Sequence, residues 1–365
     1  MADQLPGELI DRFFAEFPTD RAGKRAIGEF GLVCKQWLPP SRYRFFSDVD
    51  LDARSIKPFL DVVTQSPFPV PNFIRSLGLS SSGLEQGLKI EDCLTLGPFV
   101  QVTTLRLTMT QDVLERNYAL LGNTFRGVTT LVFRNVPLPL DSILLVVSTF
   151  PALKSVVLDW VSLSYDHDTI PHSTYQFPPQ WDSLTMDLND RPEPFFRGLL
   201  RLPQIPIFSS LSLRGVYPFE GSHFARYLAH AGSALQYIRF EAEASGEFGE
   251  RAGRYPVGLS ASTGLRHLEM VFTDYSGIAE TVHSALTYLK SSSLVSVNVV
   301  DASGPITTPR PVRQNWDKLD NILRERRFST LQSFRVQTKT RELGMKISQR
   351  MPFAGARGIL RVIYE

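Results

Sequence analysis

The chain has 365 residues, with 39 Lys and Arg set against 37 Asp and Glu. That size holds a helical head plus one long domain, or two domains. The balanced charge argues against nucleic acid as the main partner, because neutralising phosphates takes a clustered basic surface.

Cys34 and Cys93 are the only cysteines, which excludes a disulfide framework and any cysteine-rich metal site. The start, MADQLPGEL, is acidic and lacks the basic region of a signal peptide. No apolar run approaches the ~20 residues of a membrane helix, the densest cluster being Ile143 to Val147. There is no Asn-x-Ser/Thr sequon. A reducing compartment, cytosol or nucleus, is the expectation.

Leu5, Leu9, Ile10, Phe13, Phe14 and Phe17 recur at helical spacing and predict a first helix with one apolar face. Pro6 suits its first turn, Pro18 stops it, and Thr19 or Asp20 can cap the next. A second helical pattern carries Ala26, Ile27, Phe30, Val33, Cys34 and Trp37, with Pro39-Pro40 as its end. Gly28 and Gly31 weaken it, by about 0.5–1 kcal/mol each relative to alanine. A third short pattern carries Tyr43, Phe45 and Phe46. Helices this short cannot bury so much apolar surface among themselves.

Three signals stand in register here: Leu5-Pro6-x-Glu8-Leu9-Ile10, then Leu32-Val33-Cys34-Lys35-x-Trp37, then Arg42-Tyr43-x-Phe45-Phe46 followed by Val49-x-Leu51. With them, residues 1–52 resemble the F-box in the form common among mushroom-forming fungi. The resemblance implies docking on the Skp-family adaptor of a cullin-RING ubiquitin ligase. It would give Leu5, Pro6, Leu9, Ile10, Val33, Trp37 and Leu38 the role of lining that interface. Apolarity alone fits equally well with the core of an N-terminal helical cap.

Residues 53–72 read as a link, with a short helix over Ile56 to Val63 and then Pro67, Pro69 and Pro71. From residue 73 a figure recurs, apolar-x-x-apolar-x-apolar. It begins as Ile74-x-x-Leu77-x-Leu79, Val102-x-x-Leu105-x-Leu107 and Val128-x-x-Leu131-x-Phe133. It returns at Leu153, Trp181, Phe208, Leu235, Leu265, Leu294 and Leu331, and a last strand covers Ile359 to Ile363. Copies lie about 25–30 residues apart, with one gap of about 37, in or near the period of leucine-rich repeats. Helical patterns fall between them at Gln111 to Leu121, Ser142 to Thr149 with Asp141 as cap, His223 to Ala231 between Ser222 and Gly232, Ile278 to Leu289, and Trp316 to Arg327. The expected fold is therefore α/β: a three-helix F-box-like head, then an irregular leucine-rich-repeat-like solenoid over residues 73–365 with a curved parallel sheet. An ordinary α/β domain whose strands happen to read alike is the other possibility. Ser164 to Pro179, Glu243 to Gly258 and Asp301 to Arg313 interrupt the period and are expected at its rims.

No catalytic constellation emerges, and no cofactor is implied. Asp166, His167, Asp168 and His172 cluster on a loop that no helix fixes, which is poor support for a metal. Gly246, Gly249 and Gly253 lack phosphate-loop spacing, and Gly258-Leu-Ser-Ala-Ser only approaches a nucleophile elbow. Arg324-Glu-Arg-Arg327 reads as the solvated face of an amphipathic helix.

Strand alternation gives a further set. If the apolar positions face the helices, the residues between them share the opposite, concave face. Arg106, Arg134, Asp159, Asp187, Arg214, Arg239, Glu241, Glu269, Arg335 and Arg361 are the charged members, with Asn298 among the uncharged ones. They form a candidate surface for a protein client, since arginine's forked donors suit recognition. A sheet face carrying polar residues only for solubility is the plainer reading. The function expected is a non-catalytic client receptor of an SCF-type ligase, with a repeat scaffold under a helical cap as the alternative.

Overall fold

The computed structural model describes residues 6–18, 20–66, 69–81, 99–163, 175–188, 193–214, 222–242, 257–273, 277–302 and 315–364. Two compact units result, residues 1–157 with 175–180, and residues 158–174 with 181–365.

The first unit opens with three helices, α1 (Gly7–Ala15), α2 (Arg21–Phe30) and α3 (Leu38–Phe46). Pro6 is the N-cap of α1, and Asp20 caps α2 by accepting the Gly23 N–H at 2.7 Å. The second helix is shorter than its pattern. It ends at Phe30, where Gly31 begins a series of turns, and Pro39-Pro40 start α3 instead of closing α2. Proline's missing N–H costs nothing in a first turn, so the same two residues suit either role. Ile10, Phe14, Ile27 and Trp37 form the head's own core, flanked by Phe17 and Cys34. The Arg44 guanidinium ties α3 to α1 by donating to the Ala15 and Phe17 carbonyls at 3.4 and 3.3 Å.

Strand β1 (Asp48–Leu51) follows at once, then helix α4 (Ile56–Gln65), β2 (Ser76–Ser80), β3 (Thr104–Thr108) and β4 (Thr130–Arg134). Each pairs in parallel with the next, Val49 opposite Leu77, Leu77 opposite Leu105, and Leu105 opposite Leu131. The end of the head-like segment is thus the first strand of the sheet, a placement that the boundary at residue 52 obscures. Residues 46–51 are themselves a copy of the repeat figure, Phe46-x-x-Val49-x-Leu51. One backbone device recurs at each strand entry. A single carbonyl accepts two successive N–H groups of the following repeat: Ser47 from Arg75 and Ser76, Arg75 from Thr103 and Thr104, Thr103 from Thr129 and Thr130. Helices Gln111–Thr124 and Leu140–Val147 cover the apolar side, burying Leu114, Leu121, Ile143, Leu144, Val146 and Val147. Asp141 lies inside the first turn of the latter helix, whose N-cap is Pro139.

Strand β6 (Ser155–Leu163), preceded by the two-residue β5 (Pro137–Leu138), crosses the division between the units. Its alternation breaks at Asp159 and Trp160, where Trp160 takes a left-handed φ of 56°.

The second unit repeats the parallel arrangement with β7 (Ser183–Leu188), β8 (Ser210–Arg214), β9 (Tyr237–Ala242), β10 (His267–Phe272), β11 (Ser296–Asp301), β12 (Ser333–Thr338) and β13 (Leu360–Tyr364). Each strand again pairs with its successor in the chain. Leu184, Leu211, Ile238, Leu268, Val297 and Phe334 are all buried at one register position. At about 1.5–3 kcal/mol per fully buried large side chain, this ladder dominates the favourable side of folding. The helices lie between strands: Glu193–Leu199, Ser222–Ala231, Ile278–Tyr288, Trp316–Ile322, Arg341–Arg350 and Pro352–Ala356. Gly232, at φ 53°, closes the second of these, a geometry that disfavours a side chain. Ser222, expected as its cap, is the first residue of this helix. The fourth stops at Ile322, short of Arg327, and a 3-10 turn over Arg326–Phe328 follows. Arg327 is consequently not a plain solvated residue. It donates to the Thr287 and Leu289 carbonyls, at 3.2 and 2.5 Å, satisfying the end of the helix Ile278–Tyr288.

Candidate interaction surfaces

The head carries an apolar surface besides its core. Leu9 is 50% exposed, Val33 54% and Leu32 82%, with Phe13 and Phe30 partly exposed beside them. Phe13 lies at the centre of an aromatic group, its ring 5.5 Å from Phe14, 5.1 Å from Phe17, 5.2 Å from Phe30 and 5.2 Å from Trp37. Two of the exposed side chains, Phe13 and Phe30, are thus members of a packed aromatic group. Among the expected interface residues, Pro6, Leu9 and Val33 are on the surface and Leu38 is half-buried. Ile10 and Trp37, at 1% and 9% exposure, do not line it. They fill the core that fixes the helices' positions, and apolar spacing alone does not say which neighbour on a helix points inward. Leu5 lies outside the described residues. Leu32 and Phe30 were missed as surface residues, because a helix running on through Trp37 hides the turn at Gly31 that turns Leu32 outward.

On the polar side of the first unit, Arg106 organises a site. Its guanidinium passes over Gly78 and forms ion pairs with Asp48 and, at 2.8 Å, with Asp50, while also donating to the Ser76 hydroxyl. Asp50, Gly78, Arg106 and Val132 occupy one register position on β1 to β4. A Cβ at Gly78 would collide with the Asp50 carboxylate, so the missing side chain is what lets the pair close. Burial opposes the charge on Arg106, but its bonds to Asp48 and Asp50 outweigh that and hold its pKa above the usual value. Gly78 also leaves a recess of about 280 Å³ at the carboxyl ends of these strands, rimmed by Asp52, Ser80, Thr108 and the exposed Arg134. Asp52 is held below the usual carboxylate range, chiefly by the Ser55 hydroxyl at 2.8 Å and the Ser55 N–H at 2.8 Å. The side chains converge as an ionic network with a polar rim. They include no nucleophile-base pair.

In the second unit the polar side of the strands bears a charge ladder. Arg214 contacts Asp187 at 3.5 Å and Glu241 at 3.4 Å; Arg239 contacts Glu241 at 3.5 Å and Glu269 at 3.4 Å. The Tyr237 hydroxyl donates to Glu269 at 3.3 Å, and burial, then the nearby Glu269 carboxylate, raise its pKa. Arginines expected to be offered to a client are thus matched with acids from adjoining strands. Asp159 is half-buried on β6 next to the left-handed Trp160. Arg335 stands on β12 beyond the ladder.

The cluster Asp166, His167, Asp168 and His172 lies outside the described residues, as do most of the three interrupting stretches. Among the described residues no group of three His, Cys, Asp or Glu could hold a metal ion, and no helix is long and apolar enough to cross a membrane.

No family model matches the chain, and no curated protein is similar to it. Among solved structures, a protein of Bacteroides fragilis is similar over 67% of this chain and 75% of its own, at 12% sequence identity and a TM-score of 0.41. That likeness is too slight to carry an argument.

Proposed function

We propose that this chain is the client-receptor subunit of an SCF-type ubiquitin ligase, working in the cytosol or nucleus. The head docks on a Skp-family adaptor, and through it on a cullin scaffold. The polar face of the repeats holds a protein client. No chemistry is assigned to the chain itself; its contribution is proximity, which raises the effective concentration of a client lysine near the transferring subunit. The observation that carries this reading is that Leu9, Leu32 and Val33 each stay exposed on a head that already has a core. A helical cap has no need to leave these outside, whereas a docking surface does.

Co-purification with a Skp-family adaptor tests it. The double variant Leu32→Glu, Val33→Glu should abolish capture while the circular dichroism stays that of the parent chain. Trp37→Ala is unsuited to this purpose, since it empties the head's core. Failure of the parent chain to bind the adaptor would retire the reading.

One observation favours the alternative of a repeat scaffold with a helical cap. Strand β1 follows α3 directly and is hydrogen-bonded into the sheet, so the head continues into the repeats without a linker. The two readings part on adaptor capture, which the scaffold does not require.

A further inference from the structure

One register position of the second unit runs Arg239, Glu269, Asn298, Arg335, Arg361 across β9 to β13. Its first two residues are an ion pair. The last two are arginines placed directly opposite each other on neighbouring strands, an arrangement that is destabilising by itself. Among the described residues neither makes an ion pair or a side-chain hydrogen bond, and the Nε of Arg335 is buried with no partner. Asn298 between them and Glu269 is neutral, and its Oδ1 is likewise buried and unpartnered. Glu269 belongs to the strand two away from Arg335, about 10 Å at ordinary strand spacing, and it is already held by Arg239 and Tyr237. Of the other groups near this position, Asp301 is buried on the opposite side against Thr338, Gln337 is neutral, and exposed Lys339 adds a further positive charge.

We infer that Arg335 and Arg361, with Asn298 beside them, are the anchor for the acidic side chains of an extended client segment. Two guanidinium forks side by side present more donors than a sheet face needs for solubility, and a carboxylate accepts from such a fork with two oxygens. An unmatched pair at this spacing gains both a counter-ion and relief of its mutual repulsion when such a segment binds. This rests on the reading of the polar face as the client surface and makes it specific: the client is recognised here by negative charge.

The test is fluorescence anisotropy of a labelled oligo-glutamate peptide with the full chain, from about 20 to about 200 mM salt, since the screening length shortens from about 20 Å to about 7 Å over that range. The expected result is binding that weakens with salt and that Arg335→Gln, Arg361→Gln reduces at least tenfold, with Arg361→Glu alone reducing it further than Arg361→Gln. Arg226→Gln, which removes an exposed arginine from the helix Ser222–Ala231 and not from the sheet face, should leave it within about twofold. Equal binding by the parent chain and the double variant overturns the inference. So does binding of oligo-serine as tight as that of oligo-glutamate, or complete displacement by inorganic phosphate at matched ionic strength, which would mark a site for a free anion. Adaptor capture, measured on the same preparations, reads the ligase proposal separately, so either can fail while the other stands.

Discussion

Arg106 and the pair Arg335–Arg361 each stand on the polar side of parallel strands in their own unit, yet in opposite electrostatic conditions. Arg106 has two aspartates and a serine hydroxyl, and a glycine that clears its path to them. Arg335 and Arg361 have each other. The difference separates two uses of one residue type. An arginine matched across strands is part of the framework, and its removal leaves carboxylates unpaired. An arginine without a match adds repulsion to the folded state, and its use is found in binding. A count of arginines on the face does not distinguish the two uses; the neighbouring strand does.

The comparison can be broken or sharpened by substitution. Largest should be the effects on the apolar side, where the two regions are alike. Leu107→Ala should cost about 2–5 kcal/mol and Phe334→Ala about 3–5, read by chemical denaturation. Unequal losses well outside those ranges would mean that the two stacks are not built on the same ladder. Next, Arg106→Ala should cost about 1–3 kcal/mol, because it strips charge-assisted bonds from Asp48 and Asp50. Gly78→Val should cost a similar amount, by driving Asp50 away from the guanidinium. By contrast, the double change Arg335→Gln, Arg361→Gln should leave stability within about 0.5 kcal/mol or raise it, since like charges opposite one another are removed. A clear loss would make that pair framework too. The smallest effect concerns pH. The Asp52 carboxyl is held below its usual range by Ser55, so its contribution is present above the ordinary carboxylate value and fades as pH falls through the lowered one. Asp52→Asn should flatten that part of the acid limb of the denaturation midpoint against pH.

The repeats were legible because burial acts at fixed positions. Every copy of the apolar figure, from Ile74-x-x-Leu77-x-Leu79 to Leu331-x-x-Phe334-x-Val336, forms a strand at its last two apolar sites. The partners of Arg106 were hidden for a definite reason. Asp48 and Asp50 belong to a copy that doubles as the tail of the head-like motif, although Phe46-x-x-Val49-x-Leu51 stands at the same period as its successors. Helix Arg341–Arg350 went unread because its segment, RELGMKISQR, is mostly polar and buries little beyond Leu343, Gly344 and Ile347. Which of Leu9, Ile10 and Trp37 faces outward was not decidable from spacing. The inward side of α1 is set by contacts with Ile27 and Trp37, far along the chain.

The hydrogen bonding of Asp48–Leu51 to Ser76–Ser80 has a consequence for anyone wishing to study the repeats by themselves. Trimming the protein at the apparent end of its head would strip β2 of a neighbour and lay open a row of unpaired amides and carbonyls. It would also leave the Arg106 guanidinium without either aspartate. A headless fragment should accordingly self-associate through that newly bared margin, and a usable truncation has to begin before Phe46.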